Sequence, residues 1–272
     1  MKIESAKAKF LKFVKVKVRS FDYYNDDFSN SLFVCNDTYL IRDAASLKDP
    51  LVSYKNEKRI LDSIDELDIS EKVIHYSPIN GFKIARLVKV SKVYKIFDDS
   101  TILEFVRLLK KLNKAEIDGL STFSLADALL AYKNNCPESD HFSKTKETKL
   151  LKSLASDNLP KVISQSHVEK HKLKILENKV KLCDFRFGCL NSPFFDLAYF
   201  STVFKLDEKK DEYLLNKYFG YKMKVKYAKL FKHYKNYINL LRYYRYCYYY
   251  AVSGEISYLD LKNQLKIEIS NI

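Results

Sequence analysis

The stretch "VKLCDFRFGCLNSPFFDLAYF", residues 180–200, sets two carboxylates in apolar surroundings. Asp184 follows the run Val180-Lys181-Leu182-Cys183, and Asp196 sits inside Pro193-Phe194-Phe195-Asp196-Leu197-Ala198. A carboxylate is costly to bury unless it is paired, hydrogen-bonded or holding a cation. The segment therefore has a purpose for its acids. Its first half has strand chemistry, and from about residue 193 the chain reads as helical to its end.

Working outward, the chain changes character along its length. Residues 13–18, 31–35 and 38–43 read as strands, the first from the alternation Val14-Lys15-Val16-Lys17-Val18. "FVCNDTYLIR" reads as a hairpin turning at Asn36-Asp37. Residues 54–67 form a helical pattern with Ile60, Leu61, Ile64 and Leu67 on one face. "KVIHYS" and "FKIARLV" follow as strands around a turn from Pro78 to Gly81. "DDSTILEFVRLLKKLNK" begins with an acidic or hydroxyl cap and repeats Ile102, Phe105, Val106, Leu109 and Leu112. "FSLADALLAYKNN" is a further helix, and "PKVIS", "LKIL" and "KVKLCDF" return briefly to strand.

A small β-rich lobe carrying one helix, followed by a larger helical lobe with short hairpins, is the layout of the protein-kinase-like fold. The fold class is therefore α+β and two-lobed, with residues 1–90 as the nucleotide-binding lobe and 91–272 as the helical lobe. The opening stretch is similar to the pattern of the choline kinase and aminoglycoside phosphotransferase family, in which a strand leads into "IDFEYA" and then "P-x-F-DLA". The resemblance is to the bacterial choline-kinase-like branch and covers roughly residues 14–260. It implies that Asp184 holds Mg²⁺ against nucleotide phosphates. It implies that Asp196 supports the catalytic loop from beneath.

The N-terminal half adds to the resemblance. "FSNSLFVCNDTYLIRD" is similar to the family's "TN-x-x-Y-x-V … Y-x-x-R". Asn30 then falls at the nucleotide-loop asparagine, Arg42 at the base that meets the phosphates, and Glu57 at the helix acid that pairs with it. A carboxylate on a helix fixes a guanidinium, whose planar fork suits phosphate. "GFKIARLVKV" would run into the hinge over adenine, with the backbone around Val88 to Val90 as its hydrogen-bond partner. The phosphate loop "YYNDDFSNSL" departs from the family in having no glycine, and Asp26 and Asp27 add negative charge there.

The catalytic loop departs further. Aligned on the family's H-x-D-x-x-x-x-N, "QSHVEKHKLKIL" (165–176) has Gln165 for the His, His167 for the catalytic Asp and Lys172 for the metal-binding Asn. Three readings stay open. His167 acts as the base; Lys172 replaces a metal and meets phosphate directly; or the loop has lost its chemistry and the protein is a pseudokinase. Glu169 points elsewhere, and His171 is solvent-exposed without a role.

On the long tyrosine-rich helix, Leu240, Tyr243, Tyr244, Cys247 and Ala251 share one face. In choline kinases aromatic residues near here box a quaternary ammonium. With no Trp in the chain, Tyr243 and Tyr244 are the candidates, against the plainer reading that they are core. ATP, Mg²⁺ and a small amino alcohol are the implied ligands. Phosphoryl transfer from ATP to its hydroxyl is the implied reaction, and a nucleotide-binding or interaction module is the alternative.

Composition bounds these readings. At 272 residues, 47% of them hydrophobic, the chain can bury a core. The five cysteines have no CxxC spacing, which points to a reducing compartment and away from zinc. No apolar run approaches a membrane span, and a cytoplasmic location is expected. The net charge of +14 suits anionic partners or a solvated surface. Its lysines are dispersed along the sequence, and no nucleic-acid-binding motif accompanies them.

Overall fold

The computed structural model describes residues 2–44, 47–89, 98–176, 179–220 and 225–270. Helix α1 (Lys2–Phe13) opens the chain. An antiparallel sheet follows, built from β1 (Phe21–Asp27), β2 (Asn30–Cys35), β3 (Tyr39–Ala44), β4 (Val73–Tyr76) and β5 (Lys83–Arg86) in the order β1-β2-β3-β5-β4. The β2–β3 hairpin turns at Asn36 and Asp37, both at positive φ (53° and 49°), a conformation that Asn and Asp tolerate. Helix α2 (Tyr54–Ile64) is capped by Ser53, whose side chain accepts from the Asn56 N–H, and ends in a short 3₁₀ turn through Leu67.

The strand expected over 13–18 is not formed. Ala6, Phe10 and Val14 lie four apart, on one stripe of a helix, and all three are buried. They pack with Phe33, Cys35, Tyr39, Ile41, Phe82 and Ile84 on one face of the sheet. The helical stripe has a sheet to cover, whereas Val16 and Val18 pack against that core only in part. The Val14 N–H still bonds to the Phe10 carbonyl, and residues 14–18 run on without regular structure.

The large lobe contains α3 (Asp99–Lys114), α4 (Leu125–Lys133) and α5 (Lys144–Leu154). Next come β6 (Val162–Ser164), β7 (Leu173–Leu176), β8 (Lys179–Leu182) and β9 (Cys189–Asn191). Helices α6 (Pro193–Phe204), α7 (Glu208–Phe219), α8 (Val225–Ser253) and α9 (Ile256–Ser270) complete it. β6 pairs with β9 and β7 with β8, both antiparallel. These two small ribbons carry the loop 165–172 and the turn at Asp184 to the same place. Helix α6 is buried almost throughout, and its Phe200 stacks on Phe105 of α3 at 4.0 Å. Ile60, Leu61 and Ile64 of α2 join this large-lobe core, so the helix ties the lobes together. The boundary expected near residue 90 falls outside the described residues.

Phe10 is fully buried under the sheet. Phe10→Ala should lower stability by about 3–5 kcal/mol in urea denaturation. A loss under about 1 kcal/mol would mean that α1 does not hold the sheet.

Candidate functional site

Arg42 on β3 and Glu57 on α2 meet in a buried two-pronged pair. Nη1 donates to Oε1 at 2.8 Å and Nη2 to Oε2 at 2.6 Å. Tyr76 Oη donates to the same carboxylate at 2.8 Å, and Arg42 Nε to the Gly81 carbonyl at 3.0 Å. Both residues belong to the small lobe, so the pair does not span the cleft. Lys83 lies opposite Arg42 in the β3–β5 register and pairs with buried Glu71. Burial would raise Glu71, but Lys83 and a hydrogen bond from Cys183 hold it down at about 2.

Asp184 follows β8 with φ +68°, which turns its carboxylate back toward this ladder. Three cations close on it. Arg186 forms a fork, Nε to Oδ1 at 2.6 Å and Nη2 to Oδ2 at 2.7 Å. Lys172 Nζ stands 2.9 Å from Oδ2, and Arg42 Nη1 lies 3.4 Å from Oδ1. Burial opposes the charge, yet Arg186 and Lys172 hold the acid well below the usual carboxylate range. The Mg²⁺ expected here does not fit this donor set. A carboxylate offers about four acceptor positions, and cationic donors take them on both oxygens. Among the described residues, no group of three His, Cys, Asp or Glu side chains could hold a metal.

The loop 165–172 is built around the same cation. Lys172 is 2% exposed, and its Nζ also meets His167 Nδ1 at 2.6 Å and lies over the Phe187 ring at 4.8 Å. An ammonium has no lone pair, so Nδ1 accepts and the ring proton sits on Nε2. Burial, Arg245 and Lys172 push His167 well below its ordinary value, so it stays neutral. The lone pair that a base would use is therefore taken. Glu169 is buried beyond it, accepting from Tyr199 Oη at 2.9 Å and Arg242 Nε at 3.2 Å. His171 is exposed.

Asp196, near the start of α6, accepts from the Gln165 and Ser166 N–H groups, each at 2.9 Å. It thus fixes the backbone where Ser166 takes φ +57°. Gln165 Nε2 donates to the Asp184 carbonyl at 2.7 Å, and Gln165 Oε1 accepts from the His167 N–H. One side chain thus joins the loop to the Asp184 turn.

The tip between β1 and β2 lies against the large lobe. Ser29 Oγ accepts from Arg186 Nη1 at 2.8 Å, and Phe28 stacks on Tyr249 at 3.8 Å. Asn30 is buried and donates to Ser29 Oγ at 3.1 Å. Val88 is half-buried just past β5, while Val90 and the side chains of Asp26 and Asp27 lie outside the described residues.

The expected tyrosine box is corrected. Tyr243 and Tyr244 are 1% and 0% exposed. Tyr243 Oη donates to the Asp140 carbonyl at 2.8 Å, and Tyr244 Oη accepts from the Phe142 N–H at 2.9 Å. Both rings belong to the core on the α5 side of α8. Besides Arg242 at Glu169, the α8 residue that comes up to this region is Arg245, which the sequence reading passed over. Its guanidinium lies 4.9 Å from the Phe187 ring and 5.3 Å from Tyr132, and it donates to Tyr132 Oη and Tyr199 Oη. A cation of the chain itself thus fills an aromatic surround of the kind expected for a ligand. Arg186 was also missed, although "DFR" stands where the family pattern has "DFE".

No family model and no curated protein matches the sequence. Solved structures do match. A choline/ethanolamine kinase family protein of Mesorhizobium loti shares 16% identity over 99% of this chain and 97% of its own, with a TM-score of 0.77. The choline kinase LicA of Streptococcus pneumoniae shares 15% over 99% of both chains, with a TM-score of 0.78. A kanamycin- and GDP-bound aminoglycoside phosphotransferase shares 11% over 97% of both, with a TM-score of 0.70. The chain has the fold of the choline kinases and aminoglycoside phosphotransferases. The expected two-lobed kinase-like architecture is thereby borne out, and identity this low speaks for the fold alone.

Burial raises Asp196 to about 6, against the two N–H groups that favour its charge. A carboxyl raised above its unfolded value of about 3.9 stabilises the fold below that pH, and this contribution is lost as pH rises toward 6. The stability of the wild type relative to Asp196→Asn should therefore fall by up to about 3 kcal/mol between pH 4 and 6.5. Parallel stability profiles for the two proteins would contradict the raised value.

Proposed function

We propose that the chain is a degenerate choline-kinase-like phosphotransferase. On this reading it keeps the kinase fold and answers to nucleotide phosphate through its own cations. Transfer of the ATP γ-phosphate to the hydroxyl of choline or a related amino alcohol is absent or slow. The observation that carries the proposal is the position of Lys172, bonded at once to His167 Nδ1 and Asp184 Oδ2. The ammonium removes the base's lone pair and supplies positive charge where a metal was expected. Arg186 completes the substitution by taking both Asp184 oxygens. The neutral imidazole could serve as a base only if Lys172 withdrew. The solved neighbours include an AMP complex of LicA and an ADP-bound aminoglycoside phosphotransferase. A nucleotide is therefore the ligand to try first, and it would have to displace the Phe28–Ser29 tip from Arg186 and Tyr249.

Thermal melting with ATP, in Mg²⁺ or in EDTA, tests the proposal together with a radiolabelled transfer assay on a panel of amino alcohols. The expected result is a similar ATP-induced rise in both buffers, with no transfer above background. His167→Asp with Lys172→Asn should change little, because Arg186 still covers Asp184. Adding Arg186→Ala should make the ATP effect Mg²⁺-dependent and raise transfer, a positioned base alone contributing about 10²–10⁴-fold. Robust Mg²⁺-dependent turnover by the unmodified chain would overturn the reading. No ATP effect in either buffer would leave the fold as an interaction module.

A further inference from the structure

The proposed function leaves the +14 charge unexplained. Along the sequence the lysines are dispersed, but the fold gathers a set of them on α5 and the first turns of α8, which pack side by side. Two hollows lie on this surface and share Ser153. One, of about 720 Å³, is lined by Lys144, Lys149 and Lys152 with Thr145 and Thr148. The other, of about 480 Å³, is lined by Lys226 and Lys229 with Ser156 and His233. No acid lines either hollow. The one acid of α5, Glu147, turns inward to Lys133 and Tyr244, and Asp157 accepts from Tyr234. The field joins the two helices: burial, Lys232 and Lys149 together lower His233.

Several lysines elsewhere have a carboxylate beside them. Lys58 pairs with Asp62, Lys72 with Asp65, and Lys181 with Asp68. Among the described residues, none of Lys144, Lys149, Lys152, Lys226, Lys229 and Lys232 forms an ion pair. A shallow trough of unpaired ammonium groups and hydroxyls, its two hollows meeting at Ser153, matches a chain of phosphates, because both groups hydrogen-bond phosphate oxygens. No Phe, Tyr or Trp side chain lines the hollows, so the broad platforms on which unpaired bases stack are missing there. The near absence of exposed apolar residues, Val225 apart, argues against a membrane surface.

We infer that the α5–α8 trough is a docking surface for the sugar–phosphate backbone of a nucleic-acid duplex, read without sequence preference. It lies apart from the Asp184 cluster and does not depend on nucleotide binding there.

Fluorescence anisotropy with a labelled duplex RNA of about 20 base pairs tests this over about 50–200 mM salt. Wild-type protein should bind with a steep salt dependence. Lys149→Glu, Lys152→Glu and Lys229→Glu together should weaken binding at least tenfold and reduce the log–log salt slope by about two to three, at roughly 0.9 per phosphate contact. The control carries Lys12→Glu, Lys15→Glu and Lys17→Glu. It changes the net charge equally on the small lobe and should bind nearly as the wild type does. The corresponding Lys→Gln set, with unchanged melting temperature, guards against misfolding and should give a smaller loss in the same order. Equal weakening by trough and control variants would overturn the inference in favour of a diffuse field. So would the absence of duplex binding at 50 mM salt, or binding to phosphatidylserine vesicles without binding to duplex.

Discussion

One buried ammonium organises the centre of this protein. Lys172 Nζ joins the loop 165–172 to the Asp184 turn through His167 Nδ1 and Asp184 Oδ2. A buried lysine is tolerated only with partners of this quality, and a buried acid likewise. Each residue's presence therefore explains the other's. Arg186 and Arg42 then settle on the remaining acceptor positions of Asp184, and Arg42 brings Glu57 and, through α2, the large-lobe core. The contact between the lobes is thus electrostatic at its centre and apolar around it.

The same arrangement sets what the cleft can do. In a kinase fold, the acid after the strand and the polar residues of the loop normally leave an unfilled demand for positive charge, which metal and substrate meet. Here the chain meets that demand itself: Lys172 and Arg186 at Asp184, and Arg245 among Phe187, Tyr132 and Tyr199. The tip at Phe28 and Ser29 closes over this cluster. Charges already compensated do not draw a divalent cation, and a base whose lone pair is engaged does not take a proton. On the proposed reading, the fold of a phosphotransferase is kept while residues that fold with it oppose its chemistry.

Much of this was legible in the sequence, for reasons that differ from element to element. The Asn36-Asp37 hairpin and the α2 stripe rest on local signals and lie where those signals placed them, and the acidic or hydroxyl cap expected for α3 falls at Asp98. The strand expected over 13–18 rested on the strong alternation Val14-Lys15-Val16-Lys17-Val18, while the stripe of Ala6 and Phe10 in α1 gains its meaning only from a sheet distant in sequence. The approach of Arg42 to Glu57 followed from a motif. The partners of Asp184 did not, because Lys172 comes from one ribbon, Arg186 from the next turn and Arg42 from the small lobe. Arg245 was hidden for a similar reason: on a helix with so many tyrosines, which face meets the loop is decided by packing. The clustering of lysines on α5 and α8 is invisible in one dimension, since the two segments lie far apart in the chain.

The most direct test of the central claim is the state of the His167 ring. Long-range ¹H–¹⁵N spectra of histidine-labelled protein, with His167 assigned by comparison with His167→Gln, report tautomer and charge across pH. The bridge predicts a neutral ring protonated at Nε2, unchanged from pH 8 to about 5.5, well below the usual midpoint near 6.5. Its Nδ1 signal should move when Lys172 is replaced by Met. A ring that titrates near 6.5, or is protonated at Nδ1 with Lys172 in place, would contradict the account.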